Sequence, residues 1–150
     1  MNNRSDVRFS SALILGLSSM LGCGSDMPFD VVSVHGKVTY DDGSLIQADS
    51  IHVTFNPIDA DRKGKIVPPG GQTDINVQDG TFSAVSSHRA NDGLVVGRHK
   101  VVVVAFKKGT DGNSVPTPAV PAIYRQVTTT PLEVEVDSPN QILELKVSKK

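Results

Sequence analysis

The feature that most constrains the fold of this chain is a series of short runs in which apolar and polar residues alternate. Residues 51–55 (IHVTF) are the clearest example, because Ile51, Val53 and Phe55 would lie on one face of a strand and the polar residues on the other. No segment shows the 3.6-residue periodicity of a long amphipathic helix. The pattern predicts an all-β domain.

Turn residues separate the other predicted strands, which lie at 32–40, 72–77, 81–85, 101–106, 131–136 and 141–147. We expect 72–77 and 81–85 to form a hairpin that turns at 78–80. The run at 101–106 (VVVVAF) is apolar on both faces, which is typical of a central strand covered above and below. About seven strands in a domain of this size predict an antiparallel Greek-key sandwich.

Two polar segments rich in glycine and proline interrupt the strands, at 57–71 and 107–121. Loops of about 15 residues are usually functional or disordered. We therefore expect either these loops or an exposed strand edge to hold any partner, since an unpaired edge can add an extended segment as a further strand.

The amino terminus has the composition of a secretory leader. Arg4 and Arg8 precede an apolar run at 11–21, and Gly22-Cys23 follow it. The run of about 11 residues is shorter than the roughly 20 that a membrane-spanning helix needs. We predict a signal peptide at 1–22, a tether at 23–31 and one domain at 32–150.

Cys23 is the only cysteine of the chain, so no disulfide within the chain is possible. A leader cut elsewhere would leave it as an unpaired thiol in an oxidising compartment. The tetrapeptide MLGC at 20–23 resembles the bacterial lipobox, although Leu21 is larger than the usual residue there. That resemblance implies a diacylglyceryl group on Cys23 and a secreted, membrane-anchored protein at the periplasmic or outer cell surface.

The charge balance gives no reason to expect nucleic-acid or anionic-membrane binding. The net charge is −1, and without the leader, which carries Arg4, Arg8 and Asp6, it is about −2. Both kinds of binding use a clustered positive patch. The compact basic pairs are 107–108 and 149–150, which are typical of an ordinary solvated surface.

The order of several short motifs resembles that of transthyretin-like, carboxypeptidase-regulatory-like domains of bacterial lipoproteins, notably those of planctomycetes. The segments that carry this resemblance are VHGKVTYDDG at 34–43, VTFNP at 53–57, DGTFS at 79–83, NDGLVVGRHKV at 91–101 and the stretch 121–134. Val96 stands where the family often has proline, and His99 where it has tyrosine. The resemblance implies a seven-stranded prealbumin-like sandwich with a lipid anchor, and it implies no reaction.

The residue types of an enzyme are present, but their spacing matches no catalytic motif. The four histidines, His35, His52, His88 and His99, form no H-x-x-x-H pair, and no G-x-S-x-G elbow occurs. We expect surface or packing roles for them. Transthyretin-related hydroxyisourate hydrolases end in a Tyr-Arg-Gly-Ser tail, of which this chain has only Tyr124-Arg125, away from its end.

Carboxylates in the loops raise the question of calcium, which takes 6 to 8 oxygen ligands. The candidates are Asp59 with Asp61, and Asp74 with Asp79, but their spacing is not that of an EF-hand. Turn formation is the commoner role of such residues. No metal site and no cofactor are predicted.

These observations favour a non-enzymatic envelope protein, anchored to the membrane through Cys23, whose domain contacts other envelope proteins or surface polymers. A carbohydrate-binding module is the alternative. Sugar platforms usually stack on exposed aromatic rings, and the chain has no tryptophan. With Phe55, Phe82 and Phe106 assigned to the core, Tyr124 and Tyr40 are the candidates for stacking. An enzyme of unrecognised type is the third hypothesis.

Overall fold

The computed structural model of the chain describes residues 27–58 and 63–149. The predicted signal peptide, Cys23 and the first part of the tether lie outside the described residues, as do Asp59 and Asp61. No helix in the described ranges is long and apolar enough to cross a membrane.

The described residues contain ten strands, one 3₁₀-helix and no α-helix, which confirms the all-β prediction. The strands are β1 (Val31–Val32), β2 (Val34–Tyr40), β3 (Ser50–Pro57), β4 (Gly71–Ile75), β5 (Thr81–Phe82), β6 (Leu94–Val95), β7 (Gly97–Lys108), β8 (Ser114–Pro116), β9 (Glu133–Val136) and β10 (Gln141–Val147). The 3₁₀-helix spans Ala122–Arg125.

The larger sheet is built on the antiparallel pair β3–β7, whose register runs from Ser50 opposite Phe106 to Pro57 opposite His99. On its other side, β3 pairs with β4. The second edge of β7 is shared, because β9 pairs with its beginning and β8 with its end. The resulting order is β4-β3-β7, followed by β8 and β9.

The smaller sheet has the order β10-β2-β5 and corrects the expectation of antiparallel pairing throughout. β10 lies parallel to β2, with Leu143 opposite Gly36, and β5 is antiparallel to β2. The cause is the turn at 137–140, which brings the chain back to the end where β2 begins. There the Asn140 backbone N–H donates to the Ser33 carbonyl oxygen over 2.7 Å.

Both sheets contribute to one apolar core, as in a β-sandwich. Phe55 of the larger sheet and Phe82 of the smaller sheet meet with ring centroids 6.2 Å apart. The strand alternation is confirmed, because the predicted inward residues of β3 and β10 are buried: Ile51, Val53, Phe55, Leu143, Leu145 and Val147. Such burial stabilises by about 1.5–3 kcal/mol for each large aliphatic or aromatic side chain.

The predicted hairpin of 72–77 with 81–85 is present in part. The Asn76 N–H donates to the Thr81 carbonyl oxygen over 2.9 Å, and Gln72 is bridged to Ser86. The ladders of β4 and β5 are formed with other strands, β4 with β3 and β5 with β2, so the turn at 76–80 also carries the chain from one sheet to the other. The Gly80 N–H closes that turn by donating to the Asn76 carbonyl oxygen over 2.7 Å, with φ of 78° at Gly80. Alternation assigns a face to each residue but does not identify the partner strand.

The segment 107–121, predicted as a long loop, contains strand structure, because β7 extends to Lys108 and turns back as β8. The segment after β8 then covers the middle of the β7 edge. Val120 and Tyr124 are buried there. Arg125 stabilises this cover, since its guanidinium donates to the carbonyl oxygens of Val120 and Thr117 over 2.6–2.9 Å.

The start of the domain and the burial of β7 also differ from the predictions. The predicted tether is shorter than 23–31, because Phe29 is only 8% exposed and β1 pairs with β6. The central strand β7 is covered completely on one face only: Val101 and Val103 are buried, whereas Val102 and the other outward residues of β7 are half-buried or exposed.

Gly36 determines how closely β10 can approach β2. A Cβ atom at this position would overlap the Leu143 carbonyl oxygen and lie 2.9 Å from the tip of the Phe82 ring. We predict that Gly36→Ala destabilises the fold by about 2–3 kcal/mol, since the backbone of β10 must shift.

Urea denaturation measures this effect, with Lys37→Ala as the matched control. Lys37 is the exposed neighbour of Gly36 on the same strand, and its replacement is expected to change the free energy of unfolding by no more than about 0.5 kcal/mol. Equal stability of the two variants would contradict the close β2–β10 approach.

Candidate functional site

Polar side chains line the outer face of the larger sheet where β3 and β4 lie together. His52, Thr54 and Asn56 point outward from β3, because the residues between them point into the core. Gln72 and Asp74 of β4 lie opposite Thr54 and His52 on the same face. Strand alternation therefore holds five hydrogen-bonding side chains on a rigid surface.

A further segment, 84–87, forms a wall beside β4. Gln72 and Ser86 exchange backbone N–H···O=C hydrogen bonds of 2.9 and 3.0 Å. The Thr73 hydroxyl donates to the Ala84 carbonyl oxygen over 2.8 Å. The polar face of β3 and β4 and this wall together form what we call the polar groove.

The polar groove consists of two adjacent hollows of about 270 and 340 Å³ that share Gln72 and Ser86. The first hollow is lined also by His52, Thr73, Asp74, Ala84 and Asn91, and the second by Thr54, Phe55, Asn56, Gly70, Gly71 and Ser87. Both are open to solvent. Carboxylate, imidazole, amide and hydroxyl groups are all present in the lining.

Residues 87–92 form the rim of the polar groove, and Asp92 stabilises this turn. Its carboxylate accepts hydrogen bonds from the backbone N–H groups of Ser87, His88 and Arg89 over 2.7–3.1 Å. Partial burial raises the pKa of Asp92, but these hydrogen bonds lower it more, so that the net pKa lies below the ordinary value. The Asn91 N–H donates to the Ser86 hydroxyl over 3.0 Å, which fixes the wall to the rim.

The chemistry of the first hollow depends on His52 and Asp74, whose Nδ1 and Oδ1 atoms lie 2.9 Å apart. The Asp74 side chain is 86% exposed, so this contact contributes little to stability. Ser86 lines the same hollow, which brings together the three residue types of a nucleophilic triad. Among the described residues, however, Ser86 Oγ is hydrogen-bonded to Asn91 and not to His52. The geometry offers hydrogen-bonding groups for a ligand.

His99 lies in the core beneath this sheet. It is 0% exposed, and its Nε2 atom lies 2.7 Å from the Val95 carbonyl oxygen. Within the described residues, its buried Nδ1 atom has no hydrogen-bond partner. Burial lowers the pKa of His99, although the Val95 carbonyl and the charge of Glu135 oppose that shift. His99 is therefore a neutral packing residue.

The other predicted candidates occupy separate places. His35 lies on β2, and His88 is exposed in the rim. Asp79 accepts from the Thr81 N–H and hydroxyl over 2.9 and 2.7 Å, which lowers its pKa and gives it a role in the turn. It is not brought together with Asp74. In the described part of the chain, no group of three or more metal-ligating side chains is close enough to hold an ion.

Tyr40 and Tyr124, the candidates for sugar stacking, are both buried. The Tyr40 hydroxyl donates to the Ala119 carbonyl oxygen over 2.6 Å, and the Tyr124 hydroxyl accepts from the Ser148 N–H over 3.0 Å. These bonds link the smaller sheet to the cover over β7. Tyr124 and Arg125, which partly match the hydrolase tail, are thus structural residues of that cover.

Sequence reasoning missed several residues of the polar groove. Gln72 and Asp74 were detectable as the outward positions of an alternating strand. Ser86 follows the predicted strand 81–85 directly, and the predicted turn at 78–80 brings it opposite Gln72. Asn91 was not detectable, because it reaches the groove only through a further turn. A local pattern contains no signal for such a contact.

The chain matches no protein-family model, no curated protein and no solved structure. The polar groove is therefore interpreted from its own geometry and chemistry.

The pKa of His99 predicts how stability depends on pH. Because the folded state lowers this pKa below the unfolded value of about 6.5, the unfolded state binds more protons as the pH falls. Stability is then complete above the unfolded pKa and decreases as the pH falls below it. We expect His99→Phe to remove this component of the acid sensitivity.

Urea denaturation between pH 7.5 and pH 5 measures the effect, with His88→Asn as the control at an exposed histidine. The control is expected to keep the pH dependence of the wild type. An unchanged pH dependence in His99→Phe would show that the buried imidazole does not cause it.

Proposed function

We propose that this chain is a non-enzymatic, lipid-anchored protein of the cell envelope whose β-domain binds other envelope proteins. The observation that carries the proposal is the polar groove, because it is an open, rigid concavity lined by groups that donate and accept hydrogen bonds. Extended protein segments present regularly spaced amide groups, and a groove that runs along β3 and β4 can pair with such a row.

The anchor in this proposal is a diacylglyceryl group on Cys23. It is supported by the leader composition and by the position of the single cysteine directly after it. One acyl chain gives only marginal membrane binding, and two or more give stable anchoring. The protein would then lie at the periplasmic or outer face of a membrane, with the lipid as its membrane contact.

We also propose that the domain is a seven-stranded Greek-key sandwich of the prealbumin type. Seven strands remain when the separate two-stranded sheet β1–β6 and the edge strand β8, which pairs only with the end of β7, are set apart: β2, β3, β4, β5, β7, β9 and β10. The chain passes between the sheets after β2, β4, β5 and β9. These crossings support a Greek-key arrangement, while the fold alone does not determine function.

Carbohydrate binding is the second candidate, and the composition of the polar groove favours it. Asp74, Gln72 and Asn56 are the residue types that hydrogen-bond sugar hydroxyls, and all three line the groove. With Tyr40 and Tyr124 in the core, neither ring is available for stacking. A glycan at this site would be held by hydrogen bonds, so we expect weak affinity for single sugars.

The anchor predicts a specific labelling result. Cells that express the wild-type chain and are fed an alkyne-tagged fatty acid are expected to incorporate label into this protein, whereas Cys23→Ala is expected to lose it completely. Label that persists in Cys23→Ala would contradict attachment at this residue.

A photo-crosslinking amino acid at Thr54 tests the polar groove on intact cells. Lys37, on the outer face of the smaller sheet, is the matched control position. We expect discrete protein adducts from Thr54 and none of the same adducts from Lys37. Glycan adducts at Thr54 would support the second candidate, and identical patterns at both positions would contradict binding in the groove.

A further inference from the structure

We propose that the loop between β3 and β4 docks on the lipid surface through its tip, residues 63–67 (KGKIV). This inference rests on the proposed anchor at Cys23 and adds to it the face of the domain that meets the bilayer. It follows from three observations: the length of the tether, the end of the domain at which the tether arrives, and the chemistry of the tip.

The tether is short because the domain begins earlier than the sequence indicates. Phe29 is buried, and Val31 and Val32 pair with Val95 and Leu94. Five residues, 24–28, therefore separate Cys23 from the first buried side chain. Even fully extended, this stretch spans no more than about 20 Å. The domain cannot lie far from the lipid that holds Cys23.

The tether arrives at what we call the near end of the domain. β2 begins there directly after β1, and the Val96 N–H donates to the Asp30 carbonyl oxygen over 2.9 Å. Because Pro57 pairs with His99, β3 ends and β7 begins at this same end. The loop that follows β3 and returns at Gly71, opposite Phe55, consequently leaves and enters the near end.

The opposite, far end carries the end of β2 and the carboxyl-terminal residues. Lys149 Nζ lies 2.5 Å from an Asp42 carboxylate oxygen and 4.8 Å from the Tyr40 ring centroid. β8 also lies at the far end, because it pairs with the last residues of β7. Its Val115 is 50% exposed, close to the 53% of Val67 in the tip. Val115 is therefore a comparable apolar position that lies far from the tether.

The tip combines cations with exposed apolar side chains on a defined turn. Lys63 and Ile66 exchange two backbone hydrogen bonds of 3.1 Å, and Gly64 between them has φ of 63°. Ile66 and Val67 are 47% and 53% exposed, and both lysines are exposed. A basic residue near an anionic lipid surface is attracted by about 1 kcal/mol, and apolar side chains there can reach the acyl boundary. The tip offers two residues of each kind.

Other apolar residues of the near end support the same orientation. Ile58 and Val96 are 40% and 38% exposed, and the Ile58 N–H donates to the Arg98 carbonyl oxygen over 3.0 Å, which places it beside the start of β7. An anionic lipid surface would attract the lysines through its headgroups and bury the apolar side chains at its acyl boundary. The sequence concealed this site, because Asp59 and Asp61 precede the lysines in the same loop and leave it a net charge of only about +1.

The test uses the lipidated protein, purified from membranes and inserted into vesicles of phosphatidylcholine and phosphatidylglycerol. Acylation consumes the Cys23 thiol, so Val67→Cys provides the single thiol for an environment-sensitive nitrobenzoxadiazole label. Val115→Cys is the matched control at the far end. We expect a blue shift of the emission and quenching by doxyl lipids at position 67, and neither effect at position 115.

A second variant separates docking from mere proximity. Lys63→Glu with Lys65→Glu, in the Val67→Cys background, is expected to abolish the blue shift while the protein remains bound to the vesicles through its acyl chains. Vesicle flotation shows whether the protein is bound through its acyl chains. If bound protein gives the same solvent-like emission at position 67 as at position 115, the docking proposal is overturned and the anchor is not. Protein that carries no acyl chain and does not float would instead overturn the anchor itself.

Discussion

The rest of the structure depends on the parallel pairing of β2 with β10, two strands that lie about a hundred residues apart in the chain. This pairing requires the chain to return to the end where β2 begins, and it requires Gly36, since any larger residue would overlap the β10 backbone. All the other strands except β1 lie between these two in the sequence. The pairing therefore closes the smaller sheet against which the larger sheet is packed.

The same pairing gives the domain two distinct ends, and these ends organise the functional proposals. The proposed tether would enter at the near end through the buried Phe29 and β1, while Lys149 is paired with Asp42 at the far end. The polar groove lies along β3 and β4, extends to the near end at Asn56 and Gly71, and faces outward from the larger sheet. An anchored domain oriented in this way would hold its lysine-bearing tip on lipid and keep the groove accessible from the side.

Local pattern predicted which residues face the core and failed to predict which strands meet. Ile51, Val53 and Phe55 were assigned correctly because a buried face repeats every second residue. The pairing of β4 with β3 and of β5 with β2 could not be read from alternation, which contains no information on the partner. In the polar groove, Gln72 and Asp74 were visible as outward strand positions, whereas Asn91 reaches the site only through the tertiary fold.

Nuclear Overhauser effects between β2 and β10, in the isotopically labelled chain beginning at residue 24, are the most direct test of this fold. The parallel register places Leu143 opposite Gly36 and Leu145 opposite Val38. We expect cross-strand contacts in this register, from Gln141 with Val34 to Val147 with Tyr40. Contacts in an antiparallel register, or none between these strands, would contradict the smaller sheet and the two ends of the domain.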